Sequence, residues 1–191
     1  YLLLGARCCY PIYNGLDPET HYPEAADARW HADVTFLGHR LPDREARVQH
    51  FFLKAAQGCS AHTFLLAGEG WGNLELPTNV KVCGFVPPSQ HNRLNASARF
   101  VLHLNRASMV EAGFSPPTRI FEAAGAGAAI ITDTWPGISL FFEPGREILL
   151  ATGPTDIATH LTHLSPAAAA EMGARARERA LGIGQKSLLS T

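Results

Sequence analysis

The sequence predicts an α/β fold, a doubly wound parallel sheet, on three observations. Short apolar runs alternate with stretches of helical periodicity along most of the 191 residues, the order that places helices on both faces of a parallel sheet. Two of the early runs end in glycine, at Gly38 and Gly68, and are followed by loops and then helix or turn. Residues 115 to 133, SPPTRIFEAAGAGAAIITD, read as a helix, a glycine hinge and a buried strand, with one carboxylate inside the helix.

Taken in order, residues 1 to 32 hold Pro11, Pro18 and Pro23 with Gly15 and Asp17, a punctuation that predicts an extended segment with at most one short strand. Residues 34 to 38 read as a strand. The helix over 45 to 59 sets Val48, Phe51, Phe52 and Ala55 on one face. A strand over 62 to 67 runs into the glycine-rich turn 68 to 72. Strands follow over 80 to 86 and 100 to 104, with a short helix over 89 to 95 between them, and residues 108 to 115 read as a loop. In the central stretch Ser115 is a favourable N-cap and Pro116 suits the first helical position, while Gly125 and Gly127 close the helix. The run 128 to 132 is apolar enough for a central strand, with Asp133 at its carboxyl end. A short helix over 137 to 142, a strand over 147 to 151, helices over 155 to 164 and 166 to 181, and a loose tail over 182 to 191 complete the reading. The domain is therefore expected over residues 33 to 181.

Composition excludes several roles. A formal charge of −1 leaves no basic excess for a polynucleotide, so no nucleic acid partner is expected. No run approaches the roughly 20 apolar residues of a membrane span. The opening YLLLGARCCY lacks a charged leader and does not read as a signal peptide. Cys8, Cys9, Cys59 and Cys83 form no CxxC pair and have no histidine at zinc-site spacing, so no metal is expected. Free thiols fit a reducing compartment, hence a cytoplasmic location. His160 and His163 read as an exposed helix face.

The residues that can carry chemistry fall in loops that a doubly wound sheet gathers along one edge. They are Gly38 with Arg40 and Arg44, Gly68 with Gly70, residues 108 to 115, and residues 133 to 137. Glycines permit close backbone approach, arginines present forked donors to phosphate oxygens, and a carboxylate accepts from vicinal ribose hydroxyls. Together they describe a nucleotide site. Neither a Walker motif nor a GxGxxG fingerprint is present. Arg119 and Glu122, at i,i+3, read equally as an ion pair on a solvated helix face.

The order FLGHR, LLAGEG, VKVCGFV, RFVLHLNR, GFSPPTRIFEAAGAGAAIITD and WPGISLFFEPGREILLA resembles the C-terminal half of a GT-B glycosyltransferase, with most similarity to the spore maturation protein (CgeB-like) family. The resemblance covers roughly residues 12 to 181 and implies a Rossmann-like domain that binds a nucleotide sugar. By position it implies that Glu122, beside Arg119, meets the ribose hydroxyls and that Arg40 and Arg44, after Gly38, meet the diphosphate. Gly84, Phe85 and Val86 would wall the base, and Gly137 with Ile138 would approach the donor. Phe114 stands where retaining relatives carry a glutamate. The implied activity is hexosyltransferase-like transfer from a nucleoside diphosphate sugar to an unknown acceptor, with no metal required. YPIYNGLDPETHYP resembles the interdomain segment, so an N-terminal acceptor domain is expected outside these residues. The rival reading is a non-catalytic nucleotide-binding or regulatory module that kept the pocket.

Overall fold

The computed structural model describes residues 2 to 9 and 13 to 189. Six parallel strands form its sheet: β1 (Ala32–Leu37), β2 (Phe64–Ala67), β3 (Val80–Gly84), β4 (Ala98–His103), β5 (Ile130–Asp133) and β6 (Leu149–Ala151). They lie in the order β3-β2-β1-β4-β5-β6, a Rossmann-like doubly wound sheet, as the sequence predicts. Side chains alternate between its faces with period two. Phe64, Leu66, Phe100, Leu102 and Ile131 point to one face, and Leu65, Ala67, Val101 and Ile130 to the other.

The first face is covered by α1 (Pro42–Val48), α2 (Lys54–Gly58) and α7 (Pro154–His163). A π-helical turn, Gln49–Leu53, joins α1 to α2. Phe51, Phe52 and Leu53 are consecutive and all buried, which the wider turn accommodates better than a straight α-helix at 100° per residue. On the second face lie α3 (His91–Ala96), α5 (Thr118–Gly125) and α6 (Ile138–Phe141). The last helix, α8 (Pro166–Leu189), packs along α5.

Three expectations are corrected. The central helix α5 starts at Thr118, with Pro117 as an extended, side-chain-free N-cap. The cause is the double proline: each proline pushes the residue before it out of the helical region, so Ser115 and Pro116 both stay outside the helix. Residues 107 to 112 form α4 (Ala107–Ala112) where a loop is expected, because ASMVEA is rich in helix formers until Gly113 stops it at φ 63°. The expected loose tail is helical as far as Leu189, since the sequence after residue 181 contains no proline to end α8.

Residues 13 to 31 contain no strand and lie against the second face. Asn92 Nδ2 donates to the Thr20 carbonyl (2.9 Å), the Asp27 N–H to Ser97 Oγ (2.7 Å), and Arg93 to Glu24 (2.6 Å). Leu16 is buried on α5, where a Cβ at Gly125 would lie 2.4 Å from its Cδ1. The hinge glycine thus leaves room for the segment that leads into the domain.

Candidate functional site

β1 and β4 are neighbours, yet the chain leaves them in opposite directions, from β1 to β2 and from β4 to β5. Ligands of such sheets bind outside the carboxyl ends at this switch point. The loops there are sewn together by backbone. Gly38 N–H donates to Ala67 O (2.9 Å), Gly68 N–H to Gly84 O (2.6 Å) and Glu69 N–H to His39 Nδ1 (3.0 Å). Trp71, fully buried, donates its indole N–H to Gly38 O (2.7 Å). The GEGWG turn is therefore scaffold. Gly68, at φ 119°, lies so close to the Gly38 carbonyl that a Cβ would be 2.2 Å from it.

Two arginines read from sequence as a pair have different fates. Arg40 is taken by Glu45 through two bonds, 2.8 and 2.6 Å, so it is not a free cation. Arg44 donates to His39 O (3.1 Å), but its buried Nε has no partner among the described residues. Burial first, and then the charges of Arg119 and Arg106, lower its pKa. Of those two, Arg106 pairs with Asp43 (2.6 Å), whereas Arg119 is only 3.4 Å from both Glu122 and His91 Nδ1. The cations that face one another without full neutralisation are thus Arg44 and Arg119, an arrangement that an anion would relieve.

Glu122 is not a solvated helix-face residue. Burial is the largest influence on its carboxyl and raises the pKa, but His91, with Nδ1 3.7 Å away, and Arg119 together hold it below the ordinary value. His91 is itself buried, with Nε2 3.1 Å from Val86 O. A nitrogen facing a carbonyl must carry a proton, so Nε2 donates to Val86 O and the ring is held with Nδ1 toward Glu122 and Arg119.

Strand alternation sorts the polar residues at the ends of β4 and β5. Asp133 shares the face of Ile131 and receives Arg47 of α1 (2.6 Å) and the Asn105 N–H (3.1 Å). Burial nonetheless raises its pKa. It ties α1 to the sheet. His103 and Thr132, register partners, share the other face. Burial, then Arg44 and Arg119, with Glu122 opposing, push the His103 pKa from 6.5 down to about 3.

This depression has a measurable consequence. Between about pH 6.5 and about 3 the unfolded chain binds a proton at His103 and the folded chain does not, so stability falls as pH drops through that window. Urea unfolding of wild type and His103→Phe at pH 7 and pH 5 is expected to show a smaller pH loss in the variant. An equal loss would place the protonation elsewhere.

A cleft of about 180 Å³ opens at the switch point, with Gly38, His39, Phe85, Val86, His91 and Arg119 among its walls. Phe85 is 57% exposed and nearly parallel to the His39 ring, centroids 6.4 Å apart, so an apolar planar surface is on offer. Beside it a cavity of about 20 Å³, sharing Leu37 and Arg119, is walled by His103, Glu122 and Asn95. Gly84, at φ 66°, makes the turn that presents Phe85. Gly137 packs elsewhere, against Phe114, whose ring would be 2.6 Å from a Cβ there. Phe114 is exposed and itself left-handed at φ 47°. A larger cleft of about 570 Å³ lies beside α6 and α8, but its Arg175 and Arg179 donate to backbone carbonyls and acidic groups stand among them.

Among the described residues, no three His, Cys, Asp or Glu side chains come together as a metal site, and no helix is long and apolar enough to cross a membrane. The model of a family described as glycosyl transferase-like matches residues 44 to 183. The chain belongs to that family. No curated protein sequence matches it.

Among solved structures, Anabaena Alr3699/HepE in complex with UDP-glucose shares its fold, with a TM-score of 0.67 and 18% identity over 94% of this chain and 56% of that one. T4 phage BGT with its UDP-glucose substrate gives 0.68 and 14% over 88% and 48%. AviGT4, a glycosyltransferase involved in avilamycin A biosynthesis, gives 0.60 and 18% over 93% and 56%. The chain thus spans about half the length of these proteins, and the GT-B resemblance holds at the level of fold.

The sequence reading missed His39, His91 and His103. The signal for the last was present: His103 and Asn105 interrupt an apolar strand at i,i+2, at its carboxyl end.

Proposed function

We propose that the chain binds a nucleoside diphosphate sugar at the switch-point cleft and is the donor-binding part of a GT-B glycosyltransferase of the CgeB-like kind. The observation that carries the reading is the meeting of Arg44, Arg119 and Glu122 between the ends of β1 and β4 in a chain of the glycosyl transferase-like family. In this reading Arg44 and Arg119 hold the diphosphate, Glu122 accepts from ribose hydroxyls, and the base lies against Phe85 and the Val86 backbone. Two cations fixed before the reaction stabilise the departing diphosphate electrostatically. A second domain would hold the acceptor, since transfer requires its hydroxyl within about 3.5 Å of the anomeric carbon. The four cysteines, all free, suit the cytoplasm.

Calorimetric titration with UDP, GDP, ADP and dTDP and their glucose conjugates tests this. One base series is expected to bind, and its affinity is expected to be the same in EDTA, because phosphate is met by arginine. Absence of binding in all four series would overturn the proposal. Loss in EDTA, restored by magnesium or manganese, would overturn its metal-free form. Phe114, in place of the glutamate of retaining relatives, favours a second reading, a module that binds without transfer. Hydrolysis or transfer of the bound nucleotide sugar by a longer protein carrying an acceptor domain separates the two.

A further inference from the structure

Resting on the donor reading above, we infer that His103 is an additional binding residue, whose Nε2 accepts a hydrogen bond from one hydroxyl of the bound nucleotide sugar. The hydrogen bonds around it fix its protons. Asp133 accepts from Arg47 and from the Asn105 N–H, and Thr132 Oγ1 stands 3.3 Å from the same carboxylate. A hydroxyl between a carboxylate and an imidazole gives its proton to the carboxylate, the stronger acceptor. Thr132 Oγ1 then offers a lone pair to His103 Nδ1, 3.4 Å away, and that nitrogen must carry the ring proton.

The field at the other end of the ring agrees. Arg44 and Arg119 are the charges that act most on His103, and they favour a ring whose lone pair, and not its N–H, turns to their side. Nε2 has no hydrogen-bond partner among the described residues. His103 lines the cavity of about 20 Å³, which is room for one water-sized group. The other polar walls are the Glu122 carboxylate, the Arg119 guanidinium and the Asn95 amide. A hydroxyl there can donate to Nε2 and accept from Arg119, and the cavity adjoins the cleft through Leu37 and Arg119. A methyl group or hydrogen in its place would leave these groups unpaired, so the site discriminates by hydroxyl.

The test has two readouts on the 191-residue chain. Nitrogen-15 NMR of the free protein is expected to show His103 neutral at pH 7 with its proton on Nδ1; a proton on Nε2 would overturn the inference. Calorimetry then compares wild type, His103→Phe, which fills the space without an acceptor, and His103→Gln, which restores an acceptor near the Nε2 position. The probes are UDP, its 2′-deoxy and 3′-deoxy forms, UDP-glucose and its deoxyglucose analogues, with the base exchanged if another series binds better.

One deoxy position is expected to weaken wild-type binding about tenfold, to lose its penalty in His103→Phe and to regain part of it in His103→Gln. A penalty at 2′ or 3′ assigns a ribose hydroxyl; one seen only in the glucose analogues assigns the transferred sugar. If nucleotides bind but every deoxy penalty is the same in wild type and His103→Phe, the inference fails and the donor reading stands. If no nucleotide binds, both fall.

Discussion

Replacing Arg44 and Arg119 together by glutamine is expected to weaken nucleoside diphosphate binding by about 3 to 6 kcal/mol, the sum of two charge-assisted contacts at roughly 1.5 to 3 kcal/mol each. Nucleoside binding should change little, because a nucleoside presents no phosphate. Burial, and then the charge of Arg119, lower the Arg44 pKa, and Arg119 has one 3.4 Å contact to Glu122 where Arg40 has two shorter bonds to Glu45. Arg40→Gln alone is accordingly expected to leave nucleotide affinity within about twofold. Calorimetry of the double variant and of Arg40→Gln against UDP and uridine, or the base that binds best, decides the matter. A large loss from Arg40→Gln, with little from the double variant, would move the diphosphate to Arg40.

The second large effect concerns the fold that holds the site. Gly173→Ala should destabilise the protein by about 3 kcal/mol, although alanine favours an isolated helix by about 1 kcal/mol. Gly173 lies within α8, and a Cβ there would meet the Gly127 carbonyl oxygen at 2.2 Å and the Ala128 carbonyl carbon at 2.8 Å. Both contacts are backbone, so no side chain can swing away. Helix α8 would have to lift off the hinge that joins α5 to β5. Gly182→Ala, in the same helix with nothing within 4 Å, is the control and should be neutral or stabilising. Urea midpoints of the two variants give the comparison. Equal midpoints would mean that α8 adapts and that its close approach to Gly127 contributes little.

Much of this architecture is legible in the sequence because apolar runs of four to six residues mark buried strands and the linking helices have clear periodicity. Six strands are expected and six are found, with shifts of one or two residues at most ends. Misreadings arise where local rules compete. Ser115 and Pro116 make a good helix start by cap preference, but Pro117 adds the pre-proline restriction and moves the start to Thr118. Residues 108 to 115 read as a loop, yet nothing in ASMVEA opposes a helix.

At the site the sequence offers residue types, and topology chooses among them. Gly38, Phe85, Val86 and Arg119 line the cleft and Glu122 the adjoining cavity. Arg40 and Arg44 look equivalent in HRLPDRE, and only the structure shows Glu45 reaching back to one of them. His39, His91 and His103 carry no shared motif in the sequence, since they lie in loops and elements after β1, β3 and at the end of β4, which only the crossovers bring to one edge.

The central claim is that one nucleotide site lies at the switch point between β1 and β4. The most direct measurement is a crystal structure of the chain with UDP, or with the diphosphate that binds best. The account predicts the diphosphate between Arg44 and Arg119, the ribose against Glu122 and the base against Phe85. A nucleotide seated instead in the larger cleft beside α6 and α8, among Arg146, Arg175 and Arg179, would contradict it.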